Sequence, residues 1–239
     1  ASAVDVPMKT RCRLSTNAAT GILNTAGEMN ATEIVLGLHH KHGMLDSFLG
    51  SFAQSILKGT HRQMMVVKCL MPVNTMRRLM VAVPPKAEFE AGFYKWVERL
   101  ARIGGQLGCR VHFWAHPDTI LRINGYLKKF HGNVRVEFSP MDDWDDSLLM
   151  SSKVAYDHLV VIVSARKGAI SYQSSFEELP TQITKYFSNC SLMLIYPDQL
   201  GDPLENLTFS SPRGQSENPI YDHVSKWVYK WMKKGEEQG

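Results

Sequence analysis

The sequence predicts an α/β protein with a mostly parallel sheet covered by helices on both faces. Three observations carry this. Strand-like and helix-like patterns alternate almost throughout the 239 residues. The strand segments are near-continuous apolar runs, MMVVKCL among them, as expected of strands buried on two faces. The whole pattern also restarts after a punctuated stretch at residues 71–78, which makes it an internal repeat.

The elements follow in order. Residues 6–14 are expected as a strand. Residues 17–28 read as a helix with Ile22, Leu23 and Ala26 as its apolar stripe and Ser15 or Thr16 as cap. A short apolar strand at 33–36 ends at Gly37, and a polar loop follows to about residue 46. Leu45, Phe48, Leu49, Phe52 and Ile56 recur at i, i+3, i+4, i+7 and i+11, the spacing of one helix face, and Gly59 stops that helix. Residues 63–70 form an apolar strand. After Pro72 and Asn74 come a strand at 79–83, a long helix at 88–107 (Phe93, Val97, Leu100 and Leu107 inward) and a strand at 110–114. Pro117 suits the first position of a helix reaching Phe130, with Ile120, Leu121, Ile123 and Leu127 inside. Val134, Val136 and Phe138 alternate as a half-buried strand. A short helix at 144–152, a strand at 158–164, a helix at 180–187 and a closing strand at 190–196 complete the pattern.

This divides the chain into a partial unit at 1–72, a complete unit at 76–198, and a linker with a C-terminal amphipathic helix at 199–239. Ile220, Val224, Trp227, Val228 and Trp231 mark that helix. Lys226, Lys230, Lys233 and Lys234 flank its tryptophans. A membrane-surface helix would use them so, but docking of the Trp face on the domain is the reading favoured here.

A net charge of +4, with charged residues at 21%, is too small to argue for nucleic acid, and none is expected as a partner. Cys12, Cys69, Cys109 and Cys190 form no CxxC pair and lack zinc spacing. All four read as small buried hydrophobes in a reducing compartment. No apolar run reaches the ~18 residues of a membrane span, and residues 1–9 do not form a secretory signal. The chain opens on Ala1 rather than Met, which suggests an excised fragment or a processed start.

One pattern points to chemistry. Gly37-Leu38-His39-His40, nine residues, then Gly50-Ser51 lies between a buried strand and a helix. A glycine at the strand end permits a tight turn and close approach of a phosphate, while the helix start offers backbone N–H groups, positive dipole and the Ser51 hydroxyl. His39, His40 and His42 have no cysteine or carboxylate partner at ligand spacing, so they read as a polar loop. Asp142, Asp143, Asp145 and Asp146 read as the capped acidic start of a helix, lacking the glycine and final glutamate of a calcium loop. No Gly-x-Ser-x-Gly, Walker or HExxH motif is present, and Ser51 has no identifiable base, so no enzymatic activity and no metal are expected.

The glycine pattern resembles that of the universal stress protein family, whose nucleotide-binding members carry Gly, two residues, Gly, nine residues, then Gly-Ser or Gly-Thr between the fourth strand and fourth helix. Gly37, Gly50 and Ser51 match in type and spacing, and His40 stands where the second glycine belongs. The resemblance implies a doubly wound sheet (adenine nucleotide alpha hydrolase-like), one partial and one complete repeat, and weak binding of ATP or another adenine nucleotide at Gly37, His40, Gly50 and Ser51. It aligns Ser164, Lys167, Glu177 and Glu178 of the second unit with those positions, which makes that copy non-binding. It also implies strand order 3-2-1-4-5 in the complete unit. That order leaves residues 6–14, the third strand of a truncated copy, without a partner, and they are expected to pair abnormally. Members commonly pair through the closing strand, so the two units are expected to meet edge to edge as a pseudo-dimer with Lys68 pointing outward.

A longer stretch, GLHHKHGMLDSFLGSFAQSILKGTHRQMMVVK followed by RRLMVAVPPKAEFEAGFYKWVERL, is similar to the cytosolic C-terminal region of bacterial sodium/proton antiporters of the monovalent cation/proton antiporter-2 family. That similarity implies a regulatory or assembly domain on the cytoplasmic side of the inner membrane, with the membrane transport domain of the same polypeptide as partner and a homodimer as assembly. The alternatives are a soluble stress-type nucleotide binder, with or without slow hydrolysis, and a non-binding dimerisation module.

Overall fold

A computed structural model describes residues 8–37 and 50–200 of the chain. The chain divides into residues 1–199, which hold every element described below, and residues 200–239. The expected terminal helix, the His39–His40–His42 loop and the first turns of the helix at 45–56 lie outside the described residues.

Helix α1 (Ala18–Glu28) starts at Asn17, whose side-chain oxygen accepts from the Ala19 N–H at 2.8 Å; the cap is this residue rather than Ser15 or Thr16. Strand β1 (Glu33–Gly37), helix α2 (Ser51–Lys58) and strand β2 (Gln63–Lys68) follow, with Gly59 closing α2 as expected. The linker contains one 3₁₀ turn, Val73–Thr75, before β3 (Arg78–Ala82). The long helix expected from residue 88 begins only at Phe93 as α3 (Phe93–Leu107). A 3₁₀ turn at Ala87–Phe89 and an extended Glu90 precede it, and Gly92 is its N-cap. A Cβ on Gly92 would lie 2.5 Å from the Asp198 backbone nitrogen, so α3 begins where only glycine lets it approach the end of the last strand. Then come β4 (Arg110–Ala115), α4 (Pro117–Phe130), β5 (Val136–Pro140), a 3₁₀ helix at Trp144–Lys153, β6 (His158–Val163), α5 (Leu179–Tyr186) and β7 (Ser191–Tyr196).

All seven strands form one sheet in the order β1-β2-β7-β6-β3-β4-β5. Within the complete unit this is third, second, first, fourth, fifth, all parallel, as the resemblance implied. Among the described residues the only antiparallel pair is β2 with β7, centred on Val66↔Leu194. That pairing is the edge-to-edge meeting of closing strands, and its register relates the two units by an approximate two-fold axis. The axis superposes β2 on β7 and, through the parallel registers β1–β2 and β6–β7, β1 on β6.

Two apolar layers flank the sheet. One holds α1, α2, α5 and Trp144, against Ile34, Met64, Val66, Met80, Ile162 and Leu194. The other holds α3 and α4, with Phe93, Trp96, Val97, Leu100, Ile123 and Leu127 against Leu79, Val81, Leu159, Val161 and Ile195. Both layers take side chains from β2 and β7, so the seam between the units is buried on each face.

Several expectations are corrected. Residues 8–15 form no strand and are exposed, Leu14 completely. In the complete unit the corresponding strand, β5, is held by β4, and the described partial unit offers no counterpart. Leu121 is 70% exposed, because the inward face of α4 runs through Thr119, Ile123 and Leu127. Cys12 and Cys69 are exposed, since one lies in the coil before α1 and the other just beyond β2; only Cys109 and Cys190 are buried. Lys68 does not point freely outward: its ammonium donates to the Ser188 carbonyl at 2.7 Å and ties β2 to the turn before β7. Asp143 occupies the N-cap of the Trp144–Lys153 helix, yet its side chain makes no cap bond, so the acidic start acts through Asp145 and Asp146 in the first turn.

Candidate functional site

In a parallel α/β sheet the connections after the strands' C-terminal ends collect the groups that meet ligands. In the partial unit β1 ends at Gly37 and α2 starts after Gly50. Gly37 is exposed, and a side chain there would meet nothing among the described residues. Gly50 is the N-cap with extended backbone (φ −50°, ψ 161°), and no side chain caps the helix among the described residues. Ser51 is exposed at the first helical position, and its carbonyl accepts from Ser55 Oγ at 2.7 Å. Ser51 is exposed and Gly50 half-buried at a helix start that no side chain caps among the described residues, and such a start, with its dipole and hydroxyl, is of the kind that accepts a phosphate oxygen. His40 lies outside the described residues.

The two-fold register defines the counterpart in the complete unit. Because β1 superposes on β6 and β2 on β7, Gly37 corresponds to Val163, Gly50 to Glu178 and Ser51 to Leu179. These are neighbours of the positions aligned from sequence (Ser164, Glu177, Glu178), because the connection 164–178 is two residues longer than 38–50. The consequence is stronger than the sequence alignment suggested. A carboxylate, Glu178, sits at the N-cap of α5, and the hydroxyl of Ser51 is replaced by buried Leu179. Lys167 is neutralised by Glu177 at 2.7 Å, which holds that carboxyl below its ordinary range and the lysine above its own.

The crevice between the C-terminal ends of β3 and β6, where the strand order reverses, is also closed from within. Glu90, in the connection after β3, accepts from both the N–H and the hydroxyl of buried Ser171, each at 2.8 Å, in the connection after β6. The protein's own carboxylate thus takes the donors an anionic ligand would need. These residues do not fit a nucleotide phosphate. Sequence reasoning missed Glu90 because only the sheet order brings residues 90 and 171 together.

Two further groups have unusual surroundings. Arg166, in the connection after β6, donates to the carbonyls of Thr60 (2.6 Å) and Arg62 (2.8 Å) and to Gln199 (3.1 Å), joining the complete unit to the turn before β2. His112 on β4 bonds Ser139 through Nε2 at 2.9 Å, while its Nδ1 is buried without a hydrogen bond, 3.6 Å from Glu137. Burial pushes the His112 imidazole below its ordinary value, and Arg78, Lys153 and Arg110 add to this against Glu137. Glu137 itself is held by Arg110 (2.6 Å) and Arg78 (3.3 Å). Among the described residues no three His, Cys, Asp or Glu side chains converge as metal ligands, and no helix is long and apolar enough to cross a membrane.

The model of the universal stress protein family matches residues 3–68, which span most of the partial unit. A Pseudomonas aeruginosa UCBPP-PA14 protein assigned to the universal stress proteins is similar in structure at 16% identity and a TM-score of 0.47, over 81% of this chain and 73% of that one. A universal stress protein from Archaeoglobus fulgidus DSM 4304 is similar at 15% identity and a TM-score of 0.49, over 75% of this chain and 65% of that one. No functionally curated protein matches. At these scores the structural likenesses add nothing to the strand order, which by itself has the doubly wound form of that fold.

Proposed function

We propose that the chain is a regulatory or assembly module on a universal-stress-type fold, without catalytic activity, in which only the partial unit keeps a phosphate-type site. The observation that carries this is the contrast between the two connections. At Gly50 and Ser51 the helix start has an exposed hydroxyl and no side-chain cap among the described residues, whereas its counterpart has Glu178 at the cap and buried Leu179 in place of the hydroxyl. A ligand at the partial unit would contact Gly37, His40, Gly50 and Ser51, and an adenine nucleotide is the class that the family resemblance suggests.

Calorimetry with ATP and with inorganic phosphate tests the reading. Weak binding is expected, lost in Ser51→Val and unchanged in Glu178→Gln. His40→Gly strengthens binding if that side chain narrows the site and weakens it if the imidazole is a contact. Binding that survives Ser51→Val and responds to Glu178 would move the site to the complete unit and sink the proposal.

The finer reading is that this module belongs to a sodium/proton antiporter, acting on a membrane transport domain from the cytoplasmic side of the inner membrane and pairing as a homodimer. What supports it is the similarity of residues 37–68 and 77–100 to such C-terminal regions. A free-standing nucleotide binder of the stress family is the competing reading, supported by the family match over residues 3–68. Membrane fractionation of the protein in its native cell separates the two.

A further inference from the structure

We propose that β1 is an acceptor edge: a β–α–β segment of polypeptide from outside these 239 residues adds its strands beyond β1, parallel to it, and lays its helix over Val35.

The occupant is specified by the protein's own second unit. Under the two-fold register β1 corresponds to β6, so Glu33, Val35 and Gly37 take the places of Leu159, Val161 and Val163. Those three β6 residues are at most 2% exposed, within the cluster built on Phe93, Trp96, Val97 and Leu100 of α3. Beyond β6 lies β3, parallel and in register, Leu79↔Leu159 and Val81↔Val161. Beyond β1 lies no strand among the described residues, and Val35 is 60% exposed where Val161 is at 0%. The other face of β1 is finished, with Ile34 buried beneath α1 and α2. Val35 and Gly37 on this face are thus wet, with Glu33 covered toward Arg99, whereas the corresponding face of β6 is dry throughout.

Two strands are required, not one. In the complete unit β5 precedes the helix that corresponds to α1, and β4 and β3 separate β5 from β6. Residues 8–15, which precede α1, are exposed coil. With two added strands they gain an edge to pair with, in the position that β5 holds.

The two sheet edges differ in protection. Edge strand β5 ends on Pro140 and presents Glu137 locked between Arg110 and Arg78, features that discourage further strands. Edge strand β1, Glu-Ile-Val-Leu-Gly, has no proline or lysine, and its one carboxylate is turned to Arg99 at 2.8 Å. An open strand edge with an uncovered apolar position is the surface that strand addition uses.

The probe is a second copy of residues 78–115, the chain's own β–α–β segment, joined ahead of residue 1 by a flexible Gly/Ser linker. The background carries Cys12→Ser, Cys69→Ser and Val35→Cys, and the cysteine of the added copy is replaced by alanine. We expect a water-soluble maleimide to label position 35 at least ten-fold more slowly than in the unfused chain. In the fused chain with native Val35, amide exchange of Val35, Gly37 and residues 8–14 should slow at least ten-fold, because these positions of β1 correspond to the β6 residues whose N–H groups face β3. Leu79→Asp with Val81→Asp in the added copy should restore both. Unchanged labelling and exchange on fusion would overturn the proposal. So would an unfused chain of doubled mass by light scattering with position 35 already protected, because a second copy would then be the occupant. None of these readouts involves nucleotide, so this proposal and the proposed function stand or fall separately.

Discussion

At the residue scale the most informative position is His112. Its Nδ1 is enclosed without a partner while Nε2 holds Ser139, and burial favours the neutral ring. His158 is depressed for the same first reason, and its Nδ1 accepts from the Ala155 N–H at 3.1 Å. A histidine whose folded value lies below its unfolded value takes up its proton more readily in the unfolded chain. Its contribution is whole above the unfolded value of about 6.5 and is lost as pH falls through the folded value. Thermal melts from pH 7.5 to 5 should therefore show falling Tm below about 6.5, with a shallower slope in His112→Asn. An unchanged slope in that variant would assign the acid sensitivity elsewhere.

At the element scale the decisive contact is β2 against β7. Parallel strands need a crossover to become neighbours, but two closing strands from repeated units can meet antiparallel by a two-fold rotation. Val67 sits on this seam, opposite Met193 and packed into the α3 layer with Ile195 and Met71. Val67→Lys would place an ammonium in that layer at a cost of about 1–3 kcal/mol. The expected outcome is faster proteolysis between residues 69 and 77, while tryptophan fluorescence, to which buried Trp96, Trp114 and Trp144 contribute, keeps the blue-shifted emission of an intact complete unit. A linker as resistant as before would mean that the seam tolerates charge and does not hold the units together.

At the scale of the whole molecule, Arg166 bridges the complete unit to the turn before β2 with two hydrogen bonds, to the Thr60 and Arg62 carbonyls, and makes a third to Gln199. Removing a charged donor leaves partly buried carbonyls to find water, and Arg166→Ala should cost about 2–4 kcal/mol. Urea unfolding should keep a single transition at a lower midpoint if the seven strands unfold together; two separated transitions would show that the arginine had coupled two independent units. The α/β alternation, the repeat, the placement of almost every described strand and the glycine pattern at Gly37 and Gly50 are legible in the sequence. Apolar periodicity and turn residues are local signals, and the described strands and helices obey them. The sequence misplaces residues 8–14, Leu121, Cys12 and Cys69, because exposure depends on which neighbour is present and not on a residue's own character. The carboxylates of the second connection are legible in the sequence as Glu177 and Glu178, but the contact that ties this connection to the one after β3 is not. Glu90 and Ser171 stand 81 residues apart and meet only because the strand order reverses between β3 and β6. The two-fold register, the closed crevice and the open edge at β1 were decided by tertiary structure alone, since each is a relation between strands distant in sequence.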